Sequence, residues 1–237
     1  MNKQEFLREF TRLVPSYQPP PDVLKKMRDL KILIVIGPTG VGKTTLIKDL
    51  GMPYVPSDVT RIPRPGEQNG VDYNFRNDYD QILKDIHEGK FVQIAVGSGG
   101  DFYGTKESSY PESGPASMAV VADVVPVFRQ LGFGSTISVF ITPPSYEAWM
   151  GRLQPANIPE YDLVPRLAEA VRSFKFALQD KDTHFILNDL ISDAQYQLRV
   201  LVDGQPDLAR EEKARGIAEQ LLARLQLDLN TKIGKIA

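Results

Sequence analysis

The sequence predicts an α/β protein in which a parallel sheet is flanked by helices. Short apolar, β-branched runs alternate with segments in which apolar residues recur every three or four positions, through most of the 237 residues. A glycine-rich stretch, residues 37–45, joins the apolar run at 31–36 to the helical segment after it. Alternating strands and helices give a parallel sheet covered on both faces, because each crossover helix packs on the sheet.

The individual elements follow from these two periodicities. Helices are expected at 3–13, 23–30 (capped by Asp22), 45–50, 78–88, 124–131, 146–153, 161–179, 192–202 and 208–227. Strands are expected at 31–36, 52–55, 91–96, 117–121, 137–142 and 185–187. Pro126 fits the first turn of its helix, where the missing N–H costs little. Residues 56–75 are too rich in proline and glycine for a helix, so they form a shaped loop ending in a strand.

Composition excludes several functions. The formal net charge of −2 gives no basic field for nucleic acid or an anionic membrane. The chain has no cysteine, which excludes disulfides, thiolate metal sites and cysteine nucleophiles. The charged start is unlike a signal peptide, and no apolar run approaches the ~18 residues of a membrane span. We therefore expect a soluble, cytoplasmic protein without nucleic-acid or membrane partners.

Residues 37–45 match the phosphate-loop pattern of Gly, four residues, Gly-Lys and Ser or Thr, with a strand before them and a helix after them. Glycines let backbone N–H groups turn toward phosphate oxygens at a helix N-terminus. The pattern predicts that Lys43 reaches the β- and γ-phosphates of ATP and that the Thr44 hydroxyl binds Mg²⁺. The predicted ATP-binding residues of this loop are Gly37, Pro38, Thr39, Gly40, Val41, Gly42, Lys43, Thr44 and Thr45.

Two arginines, Arg61 and Arg64, flank a stiff Ile-Pro pair in the proline-rich loop. Guanidinium forks match phosphate oxygens with paired hydrogen bonds, so both side chains can bind one anion. Taken alone, the pair is equally compatible with two solvated arginines, since exposed arginine is ordinary.

The loop resembles the GMP-binding segment of the guanylate kinase family. The matching strings are Val-Thr-Arg-Ile-Pro-Arg-Pro-Gly-Glu at 59–67 and Asn-Gly-Val-Asp-Tyr-Asn-Phe at 69–75. Further family-like motifs follow in order, at Phe102–Thr105, Phe140–Ser145, Arg152-Leu153, Arg166-Leu167 and Ile186–Asp189. The resemblance covers residues 31–204.

This resemblance implies a P-loop NTPase core, with a monophosphate-binding insert at about 54–115 and a lid at about 153–166. Residues 1–30 and 205–237 are then helical extensions outside the family-like domain 31–204. We expect the first to pack on the outside of the core. The C-terminal extension can dock on its own core or on a second subunit, and we favour its own core. The protein is expected to be a monomer or a homodimer.

The resemblance also implies roles for single residues. The monophosphate would be held by four side chains and closed over by Tyr103, while Thr105 would approach the base and Asp123 would lie beside this site. Arg152 and Arg166 would move with the lid onto the transferring group, and Asn188 would lie near adenine. The four phosphate-binding side chains are Ser57, Arg61, Arg64 and Tyr73.

The implied reaction is transfer of a phosphoryl group from ATP to GMP, giving ADP and GDP. The nucleophile is a phosphate oxygen whose second pKa is about 6, so no general base is needed. His87, on an outer helix, and His184, before a strand, are therefore interpreted as structural or solvated. Catalysis then needs positioning and positive charge, supplied by Mg²⁺ and by the cations Lys43, Arg61, Arg64, Arg152 and Arg166.

Two positions depart from the family pattern. The family glutamate that accepts hydrogen bonds from guanine N1–H and its amino group is matched here by Gln93, whose amide has only one acceptor oxygen. Asp101 or Asp123 can replace that acceptor. In addition, residues 154–160 lack the arginine that the family often has in its lid.

Three functions remain open from the sequence. The first is a guanylate kinase, and the second is the same chemistry on another nucleotide or a phosphorylated sugar, which Gln93 keeps open. The third is a non-catalytic guanylate kinase-like binding module. Such modules usually lose the phosphate loop, so the intact Lys43-Thr44 pair argues against it.

Overall fold

A computed structural model of the chain describes residues 1–48, 50–64, 66–97, 99–153 and 160–236. The chain forms two compact units. The first consists of residues 1–32, 53–118 and 126–136, and the second of residues 33–52, 119–125 and 137–237.

The described chain contains both α-helices and β-strands. The helices are α1 (Lys3–Leu13), α2 (Pro21–Met27), α3 (Lys43–Lys48), α4 (Tyr79–His87), α5 (Val125–Gln130), α6 (Tyr146–Leu153), α7 (Glu160–Gln179), α8 (Ile191–Val202) and α9 (Leu208–Ile236). The strands are β1 (Leu30–Ile36), β2 (Ser57–Val59), β3 (Tyr73–Phe75), β4 (Phe91–Val96), β5 (Phe102–Lys106), β6 (Gly114–Ala119), β7 (Ser135–Thr142) and β8 (Thr183–Leu187).

One sheet has the strand order β6-β1-β7-β8. Strand β1 is buried along its whole length apart from Lys31, as expected for a central strand covered on both faces. Strands β7 and β8 pair in parallel, with Phe140 opposite Phe185. This parallel sheet flanked by helices confirms the predicted fold class.

A second sheet, of order β3-β2-β5-β4, lies within the first unit. It is mixed: β2 pairs in parallel with β3, whereas β5 pairs antiparallel with both β2 and β4. Directly paired residues share a face of a sheet. One face, called the polar face below, therefore carries Ser57, Tyr73, Gln93, Tyr103 and Thr105.

A β-bulge in β4 decides which side chains reach the polar face. Phe91 pairs with Lys106, but Gln93 pairs with Thr105, so Val92 has no partner of its own. Residues two apart on a regular strand share a face, and the extra residue of a bulge breaks that rule. Phe91 is thus on the opposite face, called the helix face, while Gln93 joins Thr105 on the polar face.

The N-terminal extension forms part of the core on the helix face. Asn2 and Glu5 close a capping box at the start of α1, and α1 inserts two fully buried phenylalanines. The buried cluster consists of Phe6, Phe10, Ile82, Leu83, Ile86, Phe91, Ile94 and Phe102. The extension packs on the sheet from outside, as expected, because only Phe6 and Phe10 of α1 are fully buried and most of its other residues are exposed. The predicted cap of α2 is wrong: Pro20 precedes the helix, and Asp22 lies in its first turn.

Several other boundaries differ from expectation. Residues 52–55 form no strand; Tyr54 makes a single bridge to Ser117. A 3₁₀ turn at Ala122–Val124 precedes α5, and Pro126 lies in the first turn of α5 as predicted. Helix α9 extends the predicted 208–227 to Ile236. It contacts α7 and β8, so docking on its own chain is confirmed.

His184 lies within β8 rather than before it, 3.1 Å from a Glu211 oxygen. His87 is the last residue of α4 and is exposed. Within the described ranges, no helix is both long enough and apolar enough to cross a bilayer.

A buried carboxylate, Asp85, anchors α4 to the second sheet. Asp85 is 2% exposed and accepts hydrogen bonds from Lys106 Nζ at 2.6 Å, Gln81 Nε2 at 2.8 Å and Lys90 Nζ at 3.1 Å. Burial alone would raise the pKa of Asp85, but these three donors outweigh burial and lower the pKa to about 2. The ionised carboxylate therefore stabilises the folded state at neutral pH.

We expect Asp85→Asn to lower the free energy of unfolding at pH 7 by about 2 kcal/mol. Because the folded-state pKa lies below the unfolded value, the stabilisation is present above about pH 5 and is lost as the pH falls toward about 2. Urea unfolding followed by circular dichroism should give a flatter stability profile over that range for Asp85→Asn than for the wild type. Asp29→Asn, at an exposed carboxylate, should leave the profile unchanged. Parallel profiles for the wild type and Asp85→Asn would exclude this role.

Candidate active site

The phosphate loop leaves β1 after Ile36 and enters α3 at Lys43. All three glycines of the loop have a positive φ and would place a Cβ within 3 Å of a neighbouring atom, as Gly37 and Gly42 illustrate. A Cβ on Gly37 (φ 142°) would lie 2.9 Å from the Ile141 carbonyl oxygen, and one on Gly42 (φ 95°) would lie 2.9 Å from Asn188 Nδ2. Both the backbone conformation and the close neighbours therefore require glycine here.

Lys43 is half-buried and lies across the loop. Its Nζ donates to the carbonyl oxygens of Gly37, at 2.6 Å, and Pro38, at 3.2 Å. Thr44 and Thr45 follow in the first turn of α3. The ammonium group is thus held beside the backbone that the sequence predicts to surround phosphates.

Two distant side chains fix the shape of the loop. Trp149, on α6, donates from Nε1 to the Thr39 carbonyl at 2.9 Å. Asn188, after β8, donates from Nδ2 to the Val41 carbonyl at 2.7 Å, and its buried Oδ1 has no hydrogen-bond partner among the described residues. Because 110 residues separate Trp149 from Thr39, no local sequence pattern could reveal this contact.

The predicted lid arginines lie in two successive helices, Arg152 in the last turn of α6 and Arg166 in the second turn of α7. Arg152, in α6, is exposed and donates to the Asn188 carbonyl at 3.1 Å. Arg166, in α7, is half-buried. The segment 154–159, where the family arginine is missing, lies outside the described residues.

Arg61, predicted to bind the monophosphate, is engaged by a carboxylate of its own loop. Its guanidinium forms a fork with Glu67 through NH1 at 2.6 Å and NH2 at 2.7 Å, and its Nε donates to the Tyr103 hydroxyl at 2.9 Å. The guanidinium carbon lies 4.6 Å from the centre of the Tyr73 ring. Burial opposes both charges, but their mutual hydrogen bonds prevail, raising the pKa of Arg61 and lowering that of Glu67.

The other predicted phosphate ligands surround this pair. Tyr73 and Tyr103 meet edge to face, 6.3 Å apart, on the polar face that also carries the buried Ser57. Arg64 is half-buried, and its backbone N–H donates to Glu67 at 2.7 Å. Glu67 is thus a site residue that no sequence motif assigned a role, because its pairing depends on how the loop folds.

The residues predicted near the base are Gln93, Thr105, Asp101 and Asp123. Gln93 and Thr105 are buried cross-strand neighbours on the polar face, and Thr105 Oγ1 lies 2.9 Å from the Tyr110 hydroxyl. The carboxylate of Asp101 is instead engaged by Lys3 at 2.6 Å and by Thr60 at 3.2 Å. In the second unit, Asp123 is exposed, with an oxygen 3.9 Å from Arg172 Nε.

A magnesium site would rest on few protein atoms. The described residues contain no group of three histidine or acidic side chains that could enclose a metal ion. Mg²⁺ in nucleotide sites keeps several waters and is bound largely by phosphate oxygens. A hydroxyl at Thr44 fits that donor set, because a full protein cage is not required.

Comparison with known proteins agrees with this geometry. The family model for guanylate kinase matches residues 29–203. The guanylate kinase of Sulfurimonas denitrificans is 31% identical over 182 residues, covering 73% of this chain and 86% of the relative. That of Schizosaccharomyces pombe is 30% identical over 191 residues, covering 73% and 90%. The crystal structure of guanylate kinase from Anaplasma phagocytophilum shares the fold, with a TM-score of 0.54 at 21% identity, covering 81% of this chain and 94% of the other. The chain belongs to the guanylate kinase family.

Proposed function

We propose that this protein transfers the γ-phosphoryl group of ATP to GMP, producing ADP and GDP. The observation that carries the proposal is the intact phosphate loop, with Lys43 and Thr44 in place, in a chain of this family. Curated relatives that span most of the chain are named guanylate kinase. The non-catalytic alternative has no such support, because Lys43 and its loop serve no purpose in a module that only binds peptides.

On the donor side, the residues from Gly37 to Thr45 would hold the triphosphate, with Asn188 near adenine. Lys43 would place positive charge on the transferring group. Mg²⁺, when bound by the Thr44 hydroxyl and phosphate oxygens, would neutralise charge on the β- and γ-phosphates. Arg152 and Arg166 would add positive charge and help to exclude water, which prevents hydrolysis of ATP.

On the acceptor side, the phosphate of GMP would be held by Arg61 and Arg64, with Ser57, Tyr73 and Tyr103 donating further hydrogen bonds. An oxygen of that phosphate is the nucleophile and is already ionised near neutral pH. The protein therefore has to position two phosphates rather than remove a proton. Gln93 and Thr105 would lie near the base, and Asp123 is the acidic residue assigned beside the monophosphate site.

The proposal extends to a cytoplasmic protein that acts on small nucleotides as a monomer or homodimer. Its formal net charge of −2 provides no basic surface for nucleic acid, so binding of small anionic metabolites at defined sites is the better-supported function. Its substrates are themselves cytoplasmic metabolites.

The test is an ADP-release assay with ATP and Mg²⁺, in which GMP, dGMP, AMP, UMP and CMP are offered separately. We expect release that depends on GMP, at roughly 1–100 s⁻¹, the range of many kinases. ATP without an acceptor is the control for hydrolysis. If another monophosphate were preferred, that monophosphate would be the acceptor of the same reaction. If no acceptor caused ADP release, the non-catalytic binding module would be the remaining function.

A further inference from the structure

The polar face contains one buried amide that the protein leaves unsatisfied. Gln93 is 5% exposed, and its Nε2 has no hydrogen-bond partner among the described residues. Nearly all buried polar side chains have a partner, and an exception needs an explanation. Gln93 stands directly opposite Thr105, two residues along β5 from Tyr103, which contacts Arg61. A mononucleotide whose phosphate is at Arg61 can therefore bring its base to Gln93.

An amide and a carboxylate select different base edges. A carboxylate only accepts, so it matches the two adjacent donors of guanine, N1–H and the 2-amino group. An amide offers one acceptor beside one donor. It matches the N1–H and O6 of guanine, and leaves the 2-amino group without an acceptor. Hypoxanthine presents the same N1–H and O6 and differs from guanine only in lacking that amino group.

The neighbours of Gln93 supply no free carboxylate in place of the missing acceptor. The hydroxyls of Thr105 and Tyr110 hydrogen-bond each other, and burial raises the pKa of Tyr110, so this pair stays neutral and offers no charged acceptor that would select the 2-amino group. Among the described polar-face residues of the second sheet there is no carboxylate: Asp58 is on the helix face, paired with Arg76. Asp101 is engaged by Lys3 and Thr60.

We propose that this chain does not select for the 2-amino group, and that IMP is phosphorylated alongside GMP. The inference rests on the proposed function and specifies its substrate class as 6-oxopurine monophosphates. In the added reaction a phosphate oxygen of IMP bonds to the γ-phosphorus of ATP, while the bond between that phosphorus and the β,γ-bridging oxygen breaks. The products are IDP and ADP, and the IMP dianion releases no proton.

The first experiment compares kcat/KM for GMP and IMP in the wild-type protein at saturating ATP. We expect the two values to agree within about tenfold, because the amide makes the same contacts to both bases. A site that hydrogen-bonds the 2-amino group would separate them by on the order of a thousandfold or more. A GMP preference above about a hundredfold would overturn the proposal.

The second experiment uses Gln93→Glu, which restores two acceptors. We expect it to increase the GMP-to-IMP ratio by about 10- to 100-fold, the discrimination of a good bidentate contact. Gln130→Glu adds the same charge at an exposed position on α5 and should leave the ratio unchanged. A ratio that moves less than threefold in a folded Gln93→Glu protein would remove Gln93 from base recognition. If this variant does not fold, the wild-type ratio decides the matter.

Failure of the proposed function is separable from failure of this inference. If neither monophosphate is phosphorylated, the kinase proposal fails, and calorimetric affinities for GMP and IMP then take the place of kcat/KM. Affinities within tenfold would support the inference about base selection. A strong preference for GMP, or no binding of either nucleotide, would overturn it.

Discussion

Replacing Lys43 with alanine is expected to lower turnover by on the order of a hundredfold or more, the usual effect of removing a group that stabilises transition-state charge. The loss follows from chemistry in which no proton has to be removed, so that positive charge around the transferring group is the main contribution of the protein. Lys43 also bridges Gly37 and Pro38 across the loop, and its ammonium is the first cation that follows the glycines. Alanine removes the charge and both bridging hydrogen bonds.

Steady-state kinetics with varied ATP at saturating GMP would measure the effect. A matched control is Lys48→Ala, which removes an exposed lysine from the other end of α3 and should retain turnover. Thermal unfolding of both variants would establish that the loop variant is folded. Near-normal turnover in a folded Lys43→Ala protein would exclude its assigned role and favour a function without phosphoryl transfer.

The phosphate loop was predictable because the residues that determine its structure are consecutive in the sequence. Nine consecutive residues specify the end of a strand, the turn and the start of a helix, and β1, the loop and α3 follow that pattern. The supports of the loop were not predictable. Asn188 reaches Val41 across 147 positions, and such contacts exist only once the chain has folded.

The second sheet was harder to predict than the first. Strand β5 has a glycine at its centre, and β2 is three residues long within a proline-rich segment, so neither shows a strand periodicity. The bulge at Val92 reverses the facing of Phe91 and Gln93, which no two-residue alternation can anticipate. The helical spacing of the phenylalanines in α1 is visible in the sequence, but the burial of these rings against α4 and β5 depends on tertiary packing.

Arg61→Ala is expected to have the second large effect, lowering kcat/KM for GMP by on the order of a hundredfold while KM for ATP stays nearly unchanged. A planar fork that makes several charge-assisted hydrogen bonds is lost, and a lysine at the same position cannot replace its geometry. Alanine also leaves the carboxylate of Glu67, 18% exposed, without the partner that offsets its burial. Arg8→Ala, at an exposed arginine of α1, is the control for loss of one positive charge.

Comparison with Glu67→Gln separates binding of the phosphate from orientation of Arg61. The glutamine keeps one acceptor oxygen but loses the fork, so we expect a smaller loss in kcat/KM for GMP, about tenfold, the equivalent of roughly 1.4 kcal/mol. If Glu67 only competed with the substrate phosphate for Arg61, the same variant would instead bind GMP more tightly. A lower KM for GMP in Glu67→Gln would therefore identify Glu67 as a competitor, and a higher one would establish that it holds Arg61 in position.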